Sequence, residues 1–457
     1  MNISIRTALI GLCCLLSLVF GAGCNKLGPA WYFELGLKEE KEGNWAAAAA
    51  DFTEVIKCDS QNGPAYANRA IAERRLKEYG EAMSDDNCAL AINPKDYHAY
   101  YGHGLTKIDE GIYDDAFADF VHAIQLNRTY ASAYDGLGQV DCDLTNYQDA
   151  ISSFTHAIEL GDNSSFVYVF RGIARSRSGD LNGAITDYDR AISLNQEDNA
   201  AYINRGIARA EKKDLDGAIV DYNKGIELDP ADHIAYGNRG IAKYKKGDWD
   251  GAIADQDKAI ELDPEDDAAY INRGLAKSKK GILAGAFADY SKAIEINPNV
   301  SAAYDNRSMA KERNGDFSGA IIDVNKSIEI NPTNSTAYNI RGWIEFQKND
   351  FDSSIVDATH AIQLDPQNGD AYGTRGWARY SQGDVSSAIE DCKMAVKFHQ
   401  PDSIEYFYDQ GMLDFIAGDY HDALSNWNKI IQQDAASKSE LQPWIDKAQA
   451  KLQEKKP

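Results

Sequence analysis

The sequence predicts an all-α protein, a right-handed superhelical solenoid of about twelve helical hairpins closed by one more helix. Three observations carry this. The stretch AYINRG stands at 201–206 and again at 269–274, a separation of 68 residues, twice 34. Tyrosines recur every 34 residues from Tyr32 through Tyr66, Tyr100, Tyr134 and onward to Tyr372, eleven in an unbroken series. Between them, apolar residues return at three- and four-residue spacings, the pattern of amphipathic helices. A hairpin of this size cannot bury its apolar face alone, so neighbours must stack.

The first segment differs from all that follows. MNISIRTALIGLCCLLSLVFGAGC has one early cation, Arg6, then an apolar run from Ala8 to Phe20, then small residues. That is the order of a secretory signal, expected over 1–23. The run is 13 residues, short of the roughly 20 that span a bilayer. The ending GAGC resembles the lipobox of bacterial lipoproteins, which implies a lipid-bearing Cys24, a short linker over 24–28 and attachment to a membrane. Two acyl chains hold a protein there stably, each buried methylene contributing about 0.8 kcal/mol. The expected location is the cell envelope, lipid-anchored or periplasmic, with secretion as the alternative. Four further cysteines, Cys58, Cys88, Cys142 and Cys392, show no paired spacing and read as small buried hydrophobes.

The repeats fill 29–437. Sixteen residues after each recurring tyrosine stands a small residue, Ala48 first, Ser354 once, and Ala423 last, where one residue inserted near Gln400 and Pro401 shifts the register and Phe407 takes the tyrosine's place. Gly-Asp pairs, Gly179-Asp180, Gly247-Asp248, Gly315-Asp316 and Gly383-Asp384, divide their repeats into two halves. Glycine can adopt the left-handed conformation that ends a first helix, and aspartate caps the second. LDP or INP ends the second helix, because the residue before proline is pushed from helical geometry. The repeat AYGNRGIAKYKKGDWDGAIADQDKAIELDPED, with Tyr236 at position 4, Gly240 at 8, Ala252 at 20, Ala259 at 27 and Pro264 at 32, resembles the tetratricopeptide repeat. The segment 438–457 reads as a polar capping helix.

Eight repeats carry arginine at position 7, Arg69, Arg171, Arg205, Arg239, Arg273, Arg307, Arg341 and Arg375, and all eight carry aspartate sixteen residues later. This predicts an Arg–Asp ladder between helices, within or across repeats.

Chemistry is absent from the pattern. There is no phosphate-cradling glycine loop, no nucleophile elbow and no HExxH pair; no enzyme, cofactor or metal site is expected. His122, His156 and His360 share one repeat position with lysines and read as surface variants. A net charge of −24, from 71 acidic and 47 basic residues, repels polyanions and argues against nucleic acid.

The family resemblance implies that first helices line a concave groove holding a protein or peptide segment, chiefly through positions 2, 5, 9, 12 and 13. Two features stand out there. Trp343 and Trp377 at position 9, with Phe346 and Tyr380 at position 12, are either interface anchors or filling between neighbouring helices. Cations close the first helices of repeats six to nine, among them Lys245, Lys279 and Arg313. They either steer an acidic segment or favour the helix dipole. The function expected is a non-enzymatic envelope scaffold for protein–protein interaction. The alternatives are a cell-wall glycan-binding module and an accessory subunit of a secretion or assembly machine.

Overall fold

The computed structural model describes residues 28–433 and 437–454; the leader and Cys24 lie outside them. Among the described residues all regular structure is helical, α-helical save for one 3-10 residue, Ser437, before the last helix. Two compact units divide the chain in sequence between Leu228 and Asp229. The first runs from α1 (Pro29–Lys41) and α2 (Trp45–Cys58) to α11 (Asn199–Glu211) and α12 (Leu215–Leu228), odd helices leading each hairpin and even ones returning. In the second unit the leading helices are α13 (His233–Lys245), α15 (Asp267–Lys279), α17 (Ser301–Arg313), α19 (Ser335–Gln347), α21 (Gly369–Gln382) and α23 (Ile404–Ala417). Their partners include α14 (Trp249–Leu262), α16 (Leu283–Ile296), α22 (Val385–Phe398) and α24 (Tyr420–Gln433), with α25 (Lys438–Glu454) last. Within each unit a leading helix packs on its partner and on the next leading helix, so the leading helices share one face.

The turns form as the sequence predicts. Gly247 has φ 82°, and the Asp248 carboxylate accepts the Gly251 N–H at 2.9 Å. Lys77, Lys213 and Asn349 take the same left-handed conformation without glycine, so the turn geometry is imposed by the hairpin and not by composition alone. Position 24, on the returning helix, is a wedge where it is aromatic. The Phe120 ring lies between Gly104 of its own hairpin and Gly136 of the next, where a Cβ on either would come within 2.8 Å of the ring.

The ladder exists and runs within each repeat. All eight arginines donate twice to their aspartate, Nε to Oδ2 at 2.5–3.1 Å and Nη2 to Oδ1 at 2.6–2.8 Å. The aspartates are buried. Each guanidinium also covers the position-4 tyrosine, 5.3–5.6 Å from the ring centroid. The third donor crosses to the preceding repeat: Arg69 to Thr53, Arg171 to Thr155, Arg205 to Asp189, Arg273 to Asp257 and Arg375 to Thr359. A second cation at position 11 joins the same aspartate in several repeats, as Arg175 does to Asp187 and Lys277 to Asp289, both at 2.8 Å.

Where the register breaks, another network substitutes. His399, in the turn after α22, places Nε2 3.3 Å from Asp370 and Nδ1 3.2 Å from buried Asp409. Burial lowers the imidazole pKa, but hydrogen bonds to both carboxylates outweigh it and hold it up at about 10. In the next repeat, where Gln410 stands in the arginine's place, Asn426 at position 23 donates to Asp414 at position 11 at 2.8 Å. Of the four cysteines outside the leader, Cys392 is buried and Cys58, Cys88 and Cys142 are half-buried, so only Cys392 fits the fully buried role.

Two of the eight ladder repeats invert the position-11 charge. Glu73 and Glu345 stand where the other six place lysine or arginine, facing Asp85 and Asp357. Burial first, then the Asp85 carboxylate, pushes Glu73 up to about 7. The folded pKa lies above the ordinary glutamate value, so the ionised form is penalised by folding. That penalty is fully present above pH 7 and vanishes as pH falls toward the ordinary range. Glu73→Lys is expected to raise the urea midpoint at pH 8, with the gain shrinking at pH 5; equal midpoints at pH 8 would contradict the pairing.

Candidate interaction surface

Positions 7, 11 and 23 are locked in the ladder, so the leading helices of the second unit offer their remaining positions to a partner. Ile234 (54 % exposed) and Met309 (38 % exposed) are its open apolar side chains. Lys245, Lys279 and Arg313, all at position 13, are exposed. Other cations of the sequence strip are structural: Lys243, Lys277 and Lys311 each lie 2.8 Å from a ladder aspartate, Lys280 pairs with Asp250, and Lys212 bonds Asn182. The strip is therefore narrower than the sequence implies.

The four aromatic residues do not behave alike. Trp377 is 2 % exposed. Its ring meets Trp444 of α25 edge-on at 5.0 Å and Trp427 of α24 at 6.4 Å, and its side chain hydrogen-bonds to buried Asp409. It belongs to the core, and burial removes it from any binding face. Tyr380 is half-buried, 5.9 Å from Trp444. Trp343 and Phe346 stack on each other at 5.2 Å, both half-buried. The last helix is amphipathic, not simply polar: Leu441, Trp444, Ile445 and Ala448 are buried, and Trp444 closes the aromatic cluster from the C-terminal side.

One residue went unmarked in the sequence. Position 24 is aromatic in seven repeats, among them Phe120, Tyr222 and Tyr290; the other five have Asp86, Gln256, Val324, Ala358 and Cys392, of which Gln256 is in the seventh repeat. Gln256 is 1 % exposed. Its Nε2 donates to the Gly237 carbonyl at 2.9 Å, and its Oε1 has no hydrogen-bond partner. Beside it a small cleft, with room for about one water molecule, is lined by Gly240, Ile241, Tyr244, Gln256, Asn272 and Leu275. Burial raises the Tyr244 hydroxyl pKa and Arg313 acts against that shift, which places the position-13 charge within electrostatic reach of the cleft. Aligning position 24 across repeats exposes this departure. Among the described residues no group of three or more His, Cys, Asp or Glu side chains is placed to hold a metal ion, and no helix is long and apolar enough to cross a membrane.

Comparisons with known proteins agree with this architecture. Family models for the tetratricopeptide repeat match residues 208–247, 240–281, 267–300 and 335–368, so the chain carries tetratricopeptide repeats. The small glutamine-rich tetratricopeptide repeat-containing protein 2 of Saccharomyces cerevisiae is 38 % identical over 77 residues, 15 % of this chain and 22 % of that protein. The chain thus spans about a fifth of that curated relative. The Cut9–Hcn1 hetero-tetramer of the APC/C is similar in structure at 13 % identity and TM-score 0.55, with 94 % of this chain and 91 % of that one covered; this likeness shows the fold. YrrB, described as a TPR protein with an unusual peptide-binding site, is 25 % identical, with TM-score 0.35 and coverage of 40 % of this chain and 95 % of its own.

Core and face separate by mutation. Trp377→Ala is expected to destabilise the second unit by about 3–5 kcal/mol, the range for deleting a buried aromatic, and Trp343→Ala by less than half as much. Equal losses in chemical denaturation would place both rings in the core.

Proposed function

We propose that the protein is a non-enzymatic scaffold or adaptor that holds a protein or peptide segment of a partner along its leading-helix face. One observation carries this reading. In the second unit the ladder takes up the charges at positions 7, 11 and 23, while Lys245, Lys279 and Arg313 stand exposed beside the apolar positions Ile241, Leu275, Met309 and Trp343. Cations next to half-open apolar surface suit an acidic segment with apolar side chains, with Phe346 and Tyr380 at its C-terminal edge. The glycan alternative requires a run of open rings, and burial of Trp377 interrupts it.

The leader supports an envelope setting. In this reading Cys24 carries the lipid, the chain is tethered to a membrane, and the repeats project a partner-binding face from it.

Two experiments test the two halves. On affinity columns loaded with detergent-solubilised envelope extract, the charge-reversed variant Lys245→Glu, Lys279→Glu, Arg313→Glu is expected to lose proteins that the unaltered chain retains, at unchanged helicity. Identical retention would move the face elsewhere. For the anchor, Cys24→Ala is expected to shift the chain from the membrane pellet to the soluble fraction of a bacterial host; a variant that still pellets would remove Cys24 as the lipid site.

A further inference from the structure

In every repeat but the second, position 24 carries an uncharged residue. The exception is Asp86, on α4 (Tyr79–Ile92), which meets the next leading helix, α5 (Tyr97–Asp109). It is 0 % exposed. Its Oδ2 lies 3.1 Å from the Thr106 hydroxyl, which is equally close to the Gly102 carbonyl. Its Oδ1 has no hydrogen-bond partner and sits so near Gly102 that a Cβ there would stand 3.2 Å from it.

This geometry suits the acid better than the carboxylate. A threonine hydroxyl has one proton to give and lone pairs to accept another. As the acid, Asp86 donates through Oδ2 to Thr106 Oγ1, and the Thr106 proton is free for the Gly102 carbonyl. As the carboxylate, Asp86 needs that single proton for itself. Oδ1 is without a donor in both forms, which costs far less when the group is neutral.

The surroundings favour the same form. Asp85 on the same helix and Asp119 on α6 (Tyr113–Leu126) add negative charge, and Arg74 on α3 (Gly63–Arg75) opposes them. The basic groups around the joint are engaged by other acids. Arg69 forks onto Asp85, and Arg74 Nη1 donates to Asp109 at 2.8 Å. From α5, Lys107 Nζ and His103 Nδ1 lie 2.8 Å and 2.9 Å from Asp119. Burial is the largest influence on Asp86, outweighs the Thr106 hydrogen bond and pushes the carboxyl up to about 8.

We propose that Asp86 makes the contact between the second and third hairpins a proton-operated joint: the neutral acid ties α4 to α5 through Thr106, and ionisation releases the two helices to open locally. The sign follows from proton binding. From the ordinary aspartate range up to about pH 8 the closed joint holds a proton that the opened chain has lost, so closure weakens steadily as pH rises. Above that range both forms are ionised, and the response levels off.

Hydrogen exchange of the purified chain, read by mass spectrometry between pH 6 and pH 9 and corrected for the intrinsic exchange rate, reports on the joint. Peptides from α4 and α5 of the unaltered chain are expected to lose protection at least roughly tenfold more than the same peptides of Asp86→Asn, because only the acid links opening to a proton. Asp86→Ala, with the residue that the tenth repeat has at this position, makes the same comparison should the amide variant not fold. Peptides of the second unit serve as the internal reference. Glu73, in the same hairpin and held at about 7, is the competing source of such a response, and Glu73→Gln is expected to keep the loss in α4 and α5. Equal losses in the unaltered chain and the Asp86 variants, or no loss at all, would overturn the joint. A loss abolished by Glu73→Gln would overturn it in favour of the ladder acid.

Discussion

A guanidinium held by both oxygens of one buried carboxylate is the interaction on which the repeat depends. Arginine suits this place and lysine does not. The planar fork meets Asp in a bidentate pair, a third N–H reaches back to the preceding repeat, and the flat cation covers a tyrosine ring. Each group partly desolvates the others, so removing the arginine would leave a buried carboxylate without a counterion where position 11 is acidic, at Asp85 and Asp357, and with only its second cation elsewhere. Because the pair joins the two helices of a hairpin, it sets how the leading helix is turned. That rotation decides which of its positions face inward and which remain for a partner.

The same constraint explains what could be read from the sequence. The ladder was legible because both members recur at fixed spacing, so eight copies testify to one contact. The turns were legible for the same reason. Trp377 was not, because its burial depends on Trp444, which lies on a helix outside the 34-residue register, and no count along the chain brings the two together. The basic strip was over-read. Lysines at positions 11, 13 and 14 look alike in sequence, but the helical turn sends position 11 inward to Asp and leaves position 13 exposed. Gln256 was hidden by plainness: a glutamine on an amphipathic helix resembles a surface residue until its position is compared with the rings that occupy it elsewhere.

The departures from the pattern cluster around chemistry. At Glu73 and Glu345 an acid faces the ladder aspartate. At His399, where most repeats have Asp or Asn, an imidazole lies between two carboxylates beside the extra residue. At Gln256 a buried amide replaces a ring. Each is a polar group at a site where neighbouring repeats have a settled solution, and polar groups that are partly satisfied respond to protons or ligands more readily than those fully paired.

The backward bond of each arginine has a consequence for how such a chain can grow. Arg205 reaches Asp189 and Arg273 reaches Asp257, each sixteen residues behind. The acceptor varies among threonine, serine, asparagine and aspartate, so the joint tolerates substitution while its geometry stays constant. A gene segment encoding one whole repeat can therefore be duplicated in place, and the new copy finds both its own carboxylate and an acceptable neighbour at once. Copies in fractions of a repeat would meet neither. The two identical hexapeptides, 68 residues apart, have the spacing that such whole-repeat copying leaves behind.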